Sequence, residues 1–342
     1  MAFATINKGA SYFNTITWSG SGNSSGRSFT GVGFKPDFVW QKVRTTTYGH
    51  EIFDIIRTTN RLASNTANAE TPTDQYGYIS TFDTDGFTTV PGSTDNTGWN
   101  EVGQNYVAWN WLGANSTTTN TQGTLTSTVC ANTTSGFSVV GWTGDGVNNR
   151  TIGHGLNATP TFIIIKNRSA GTAYWSVINP RTLSTTNTNI MGTNLPNSTT
   201  YGICNYSGVN VYGQNFFAYC FAQKKGFSKF GTYIGNGSNT DNTFVYTGFK
   251  PAFLLIKDTA INSWNIMDNK MNPYNSTYTN FLFPDLANAQ SSGVYNMASF
   301  YSNGFKIGDS NSNYGGSGRT YIYMAFAENP FVLTDGTPVT AR

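Results

Sequence analysis

An all-β protein built of tandem antiparallel β-sandwiches is what this 342-residue sequence predicts, and three observations carry the prediction. One segment is written three times along the chain. Aromatic residues reach 15% while charged ones make up only 11%, and Thr, Asn, Ser and Gly fill the space between apolar runs, a balance that suits strands and turns. No stretch longer than a few residues shows helical apolar spacing. Ile52-Phe53-Asp54-Ile55-Ile56-Arg57 has the look of a helical turn, but its counterpart Trp264-Asn265-Ile266-Met267-Asp268 alternates like a strand.

The repeated segment first reads Gly33-Phe34-Lys35-Pro36-Asp37-Phe38-Val39-Trp40-Gln41-Lys42. It returns as Pro160-Thr161-Phe162-Ile163-Ile164-Ile165-Lys166 and as Gly248-Phe249-Lys250-Pro251-Ala252-Phe253-Leu254-Leu255-Ile256-Lys257. Such short, continuous apolar runs imply strands covered on both faces. Pro36, Pro160 and Pro251 stand where a strand begins and a missing N–H costs least. Lys42, Lys166 and Lys257 read as caps, each with an exposed ammonium on a buried stem.

A Gly-rich turn precedes each run, and an aromatic strand closes each unit: 105–111, 215–221 and 320–326. Phe82-Asp83-Thr84-Asp85-Gly86-Phe87 matches Phe300-Tyr301-Ser302-Asn303-Gly304-Phe305, and both read as hairpins whose glycine supplies the positive φ of a two-residue turn. The units fall at residues 1–115, 116–224 and 225–342, each of ordinary domain size. The polar run 114–123 reads as a linker, whereas only five residues, 222–226, separate the second unit from the third. The expectation is three sandwiches laid end to end, the last two packed rigidly and the first attached with more freedom.

Repetition also sorts residues. One that recurs in every copy serves the fold, and one found in a single copy is the better functional suspect. The net charge of +3 is too small and dispersed for nucleic acid, and no apolar segment reaches the ~20 residues of a membrane span. The first residues show no signal peptide, and the odd count of three cysteines, Cys130, Cys204 and Cys220, points to reduced thiols and assembly in a cytoplasm.

No catalytic, cofactor or metal set emerges. Gly22-Asn23-Ser24-Ser25-Gly26 fits G-x-S-x-G but opens no helix, so a chance match is the better reading. His50 and His154 lack a second ligand at zinc spacing. Glycoside hydrolysis needs two carboxyls flanking the bond. Asp83 and Asp85 alternate, but in a hairpin turn where the other copy has Tyr301 and Asn303. Asp54 and Asp268 occupy equivalent places with Asn179 between them in the series, each followed by a base (Arg57, Lys270, Arg181), and recurrence argues for a structural polar contact. Asp145, in Gly144-Asp145-Gly146, is a modest calcium candidate better read as an ordinary turn. Aromatics in Gly/Asn loops can stack on sugars. Trp99 and Tyr314 are the unit-specific glycan candidates, with Trp142 and Asp145 behind them.

Several longer strings carry a family resemblance. Gly136-Phe137-Ser138-Val139-Val140-Gly141-Trp142-Thr143-Gly144 leads to Gly153-His154-Gly155-Leu156 and Pro160. Tyr219-Cys220-Phe221-Ala222 leads to Lys229-Phe230-Gly231-Thr232-Tyr233-Ile234-Gly235-Asn236-Gly237, and the chain ends through Tyr321-Ile322-Tyr323-Met324-Ala325-Phe326-Ala327-Glu328-Asn329-Pro330-Phe331. Together these resemble a family of tailed-phage virion proteins from marine and environmental genomes. The resemblance implies concanavalin A-like (lectin/glucanase) jelly rolls and a place on the virion surface. It supplies neither the glucanase acid pair nor the lectin metal ligands, which have no counterpart here. The expectation is therefore a non-enzymatic virion structural protein, a capsid decoration or tail-fibre knob. Its implied partners are other virion proteins, further copies of itself (trimers are common among fibres) and host cell-surface polysaccharide. A tail-associated polysaccharide depolymerase is the alternative.

Overall fold

The twelve strands of the repeat form three sheets with one strand order. In the computed structural model, which describes residues 4–22, 24–179, 190–275, 279–291 and 293–339, the fold is an all-β, antiparallel sandwich architecture. The first sheet runs Phe13–Ser19, Asn105–Trp111, Phe38–Val43, Glu51–Asp54. The second repeats this order as Phe137–Thr143, Asn215–Phe221, Phe162–Asn167, Ser176–Ile178, and gains two edge strands, Thr118–Asn120 and Ser127–Asn132. The third runs Ser228–Ile234, Thr320–Pro330, Phe249–Asp258, Trp264–Asp268. Register repeats as well: Phe38 lies opposite Trp111, Phe162 opposite Phe221 and Phe253 opposite Phe326. Pro251 sits at an irregularity in the third pairing, where a residue without an N–H is tolerated.

Alternation sends neighbouring side chains to opposite faces, and in each sheet both faces are buried, for different reasons. One face covers a small second sheet of its own unit: Arg27–Phe29 with Gly86–Val90 and Tyr78–Asp83, Arg150–Gly153 with Thr200–Ile203, or Phe244–Tyr246 with Gly304–Ile307 and Ala298–Tyr301. Val39, Phe53 and Ala108 fill the first of these interiors, Ile163, Ile165 and Ala218 the second, Leu254, Ile256 and Ala325 the third. The opposite faces converge on one shared core, to which Phe38, Trp109 and Trp111, Phe162, Phe217 and Phe221, and Phe253, Leu255 and Phe326 all belong. The equivalent aromatics Trp111, Phe221 and Phe326 close a triangle there, with centroids 6.3, 5.9 and 5.9 Å apart and all three pairs edge-on.

This shared core corrects the end-to-end arrangement. The three units wrap a common interior because each four-stranded sheet has a second apolar face that its own small sheet cannot cover. Residues 114–123 are likewise no free tether. Asp37 Oδ2 accepts the N–H groups of Gly113 (2.7 Å) and Asn115 (3.0 Å), and Thr118–Asn120 pairs with Ser127–Val129. The first residues also bind elsewhere, Thr5 N–H donating to Lys225 O at 3.0 Å.

The recurring acids turn out to join units. Asp54 Oδ1 holds its own turn by accepting the N–H groups of Ile56 and Arg57, while Oδ2 accepts Arg57 Nε (2.7 Å) and the Tyr219 hydroxyl of the second unit (2.7 Å). Asp268 repeats the device: Oδ1 accepts the N–H groups of Lys270 and Met271, and Oδ2 accepts Trp109 Nε1 of the first unit at 2.9 Å. Tyr219 and Trp109 hold the same place in their closing strands. Met324 stands at that place in the third unit and has no N–H or O–H to donate. Arg181, the base grouped with Asn179, lies outside the described residues.

The lysine caps and hairpin glycines need correction. Lys42 and Lys166 are fully buried, ammonium included. Lys42 Nζ donates to Val43 O (2.5 Å), and Lys166 Nζ donates to Ala173 O (2.5 Å) and to Ala67 O of the first unit (2.7 Å). Burial pushes both ammonium groups down to about 8. The hairpin turns are Thr84-Asp85 and Ser302-Asn303, and each glycine begins the return strand. Glycine is required there because the third strand passes too close: a Cβ would sit 2.0 Å from Phe29 O at Gly86 and 2.1 Å from Val245 O at Gly304.

Candidate functional site

The aromatic glycan candidates are core residues. Trp99 lies on a short helix, Thr97–Asn100, fully buried between Phe53, Phe87 and Trp18. Tyr314 is fully buried against Phe281, its hydroxyl donating to Asp309 Oδ2 at 3.2 Å. Trp142 stacks on Phe216 at 5.6 Å inside the second sandwich. No ring face of the three is open to a ligand. Gly/Asn composition marks the segments around Trp99 and Tyr314 as exposed, but both rings fold inward, and Trp142 lies on the strand Phe137–Thr143.

Asp145 is half-buried and spoken for. Its Oδ1 accepts Val147 N–H and Asn210 Nδ2, and its Oδ2 accepts Arg150 Nε at 2.6 Å. Burial opposes its ionisation, but these donors outweigh burial and hold the carboxyl below its usual range. An arginine stands where a cation would bind, and among the described residues no group of three or more His, Cys, Asp or Glu is placed to hold a metal. The hairpin acids serve their turn: Asp83 accepts the hydroxyls of Thr81 and Thr88, and Asp85 accepts the N–H groups of Gly31 and Gly33. Cys130, Cys204 and Cys220 are buried free thiols.

Sequence reasoning missed one carboxyl pair. Glu51 and Asp74, 23 positions apart, bracket Arg61 at 3.3 and 2.8 Å. Burial raises Glu51 to about 7 against the pull of Arg61. Both acids are buried, and neither lines any of the three cavities described in this chain.

His154 is a structural histidine with a measurable signature. Nδ1 accepts Leu156 N–H at 3.2 Å, which leaves Nε2 to donate to Asn197 O at 3.1 Å in the neutral ring. Burial pushes the ring down to about 4. The folded state therefore binds fewer protons than the unfolded state between about pH 4 and 6.5, so the stability is fully present above 6.5 and drains as pH falls. Between pH 7 and 4.5 the native protein should lose roughly 2 kcal/mol more than His154→Asn does. Urea unfolding at the two pH values checks this, and equal losses would refute it.

The largest of the three cavities described is a groove of about 860 Å³, lined mostly by the third unit. Tyr274 stands on its wall 83% exposed, with the partly exposed ring of Phe331 also lining it. Asn269 Nδ2 donates to Glu328 Oε2 at 2.9 Å, and Lys270 Nζ lies 3.9 Å from Glu328 Oε1. Asn272 and Asn275 are structural, their amides engaging the backbones of Asn280 and Phe300. That leaves two aromatic rings for stacking, with Glu328, Lys270, Ser302 and Asn329 around them to hydrogen-bond hydroxyls. The signal in the sequence was Pro273-Tyr274-Asn275, a turn aromatic found in one unit only.

A family model described as a domain of unknown function (DUF7483) matches residues 8–330, spanning all three sheets. Neither the curated proteins nor the solved structures contain a match.

Proposed function

The chain belongs to the DUF7483 family, and we propose that it is a non-enzymatic structural protein of a tailed-phage particle, displayed on the outer surface as a decoration or fibre knob. The observation that carries this reading is the shared core: three sandwiches clamped on one aromatic interior by buried polar locks make a durable head suited to life outside a cell. The sequence resemblance supports the virion setting, and the lectin-type jelly roll it implies belongs to the same proposal. Cryo-electron microscopy of intact particles, with antibody labelling against this chain, tests it. Density for the fold on the particle surface is expected, and absence of the chain from purified particles would sink the reading.

The groove around Tyr274 favours a contact role for that surface. Its exposed ring beside hydroxyl-binding side chains is suited to a host polysaccharide. Tyr274→Ala should weaken adsorption of the purified protein to host cells by about tenfold, the loss of one stacked ring. Stability should be unchanged, since the side chain is exposed. Equal adsorption by both proteins would leave the structural role and remove the adhesin role. Release of reducing ends from host envelope by the native protein would favour a depolymerase instead.

A further inference from the structure

Besides the Trp111, Phe221 and Phe326 triangle, the shared core borders a cavity of about 360 Å³, lined by its members Phe38, Trp40, Ile52, Tyr219 and Leu255. All three units line it. Trp40, Ile164 and Leu255 are equivalent residues of the three Pro-x-Phe strands. Trp175 and Trp264 are equivalent residues ahead of the fourth strand's apolar pair, where the first unit has His50. His50 is buried: its Nδ1 accepts Trp40 Nε1 at 2.9 Å and its Nε2 lies 3.0 Å from Phe283 O. The repeat is thus broken twice in the first unit, with Trp40 where the other copies have Ile164 and Leu255, and His50 where they have Trp175 and Trp264.

We propose that this cavity binds a small organic cation of the quaternary ammonium class, caged by Trp40, Trp175, Trp264, Tyr174 and Tyr219 and neutralised by Asp285. Aromatic rings attract a poorly hydrated cation through their electron-rich faces, most strongly where water is excluded. Six of the thirteen lining residues are aromatic. The polar atoms would not suit a polyhydroxylated ligand. Trp175 Nε1 is given to Ala63 O (3.1 Å), Trp40 Nε1 to His50, and the Ser64 hydroxyl to Pro284 O (2.5 Å). Among the described residues, Asp285 is the only Asp, Glu, Lys, Arg or His on the wall. Its Oδ1 accepts Trp264 N–H at 3.1 Å, and among the described residues it forms no ion pair. Lys257, whose charge acts on it, has its ammonium tied to Asp258 O and Ala260 O. Burial raises the Asp285 carboxyl above its usual range, and a cation seated beside it would restore the charge.

The site is separate from the Tyr274 groove and shares no residue with it. Choline and its uncharged isostere 3,3-dimethylbutan-1-ol are the probes, titrated into the full chain with tryptophan fluorescence and calorimetry as readouts. Three of the eight tryptophans line the cavity, so saturable fluorescence change is expected with choline, and at least tenfold weaker binding of the isostere. Asp285→Asn should weaken choline about tenfold and leave the isostere unchanged, with near-ultraviolet circular dichroism confirming an intact fold. Equal affinity for the two probes, no binding of either at millimolar concentration, or full choline affinity in Asp285→Asn would each overturn the proposal. Tyr274→Ala should bind choline normally, and a loss there would also count against this site.

Discussion

Arg57→Ala is expected to destabilise the protein by about 3–5 kcal/mol, the usual result of stripping one partner from a buried ion pair. Arg57 and Asp54 have fully buried side chains. The guanidinium donates to Asp54 Oδ2 (2.7 Å), Asn60 O (3.0 Å), Ile52 O (3.1 Å) and the Tyr219 hydroxyl (3.1 Å), and lies 4.7 Å above the Phe217 ring. Removing it strands the Asp54 carboxylate and two carbonyls in a low-dielectric interior, and loosens the seam between the first and second units. Urea unfolding measures the loss. The double variant Asp54→Asn/Arg57→Met should lose less than Arg57→Ala alone, because no charge is left unpaired and the amide can still accept the turn's N–H groups. The second unit already uses Asn179 at that place. A double variant no more stable than the single one would mean that the charge itself is not what the interior penalises.

The repeat made much of this legible. Pro-x-Phe with its apolar run marked an inner strand of each sheet, and the closing aromatic strands fell beside it as a recurring motif should. The acids at 54 and 268 were recognisable as structural because they recur. What covered the second face of each run was not legible. Alternation reports that Phe38 and Val39 both avoid water, but not that Val39 meets its own small sheet while Phe38 meets Tyr219 of another unit, with centroids 3.9 Å apart. For the same reason the lysine caps were misread: the strand's sequence does not announce the carbonyls that satisfy a buried ammonium, whether from the strand's own end, as Val43 O for Lys42, or from another unit, as Ala67 O for Lys166. Trp99 and Tyr314 were misplaced because local composition describes the loop, not where its one large ring goes. The cavity was hidden most completely. Trp40, Trp175 and Trp264 lie up to 224 positions apart and meet only because three sheets converge.

Convergence also decides how the molecule should fail. Trp111 is buried and lies with its ring centroid 4.7 Å from Phe38, 4.9 Å from Phe13, 5.7 Å from Phe253, 5.9 Å from Phe326 and 6.3 Å from Phe221. Those neighbours belong to all three units, so Trp111→Ala opens a void that no single sheet can collapse to fill. A loss of about 3–5 kcal/mol is expected. The informative part is where the loss appears. Were the sandwiches independent, a first-unit substitution would melt residues 1–115 and spare the rest. With one apolar face of every sheet buried in common, the units gain that burial only together, and separating them exposes it on all three. Thermal unfolding of Trp111→Ala should therefore remain a single transition at lower temperature, and limited proteolysis near the new midpoint should cut the second and third units as readily as the first. A surviving fragment covering 116–342 would show that the shared core stabilises the first unit alone.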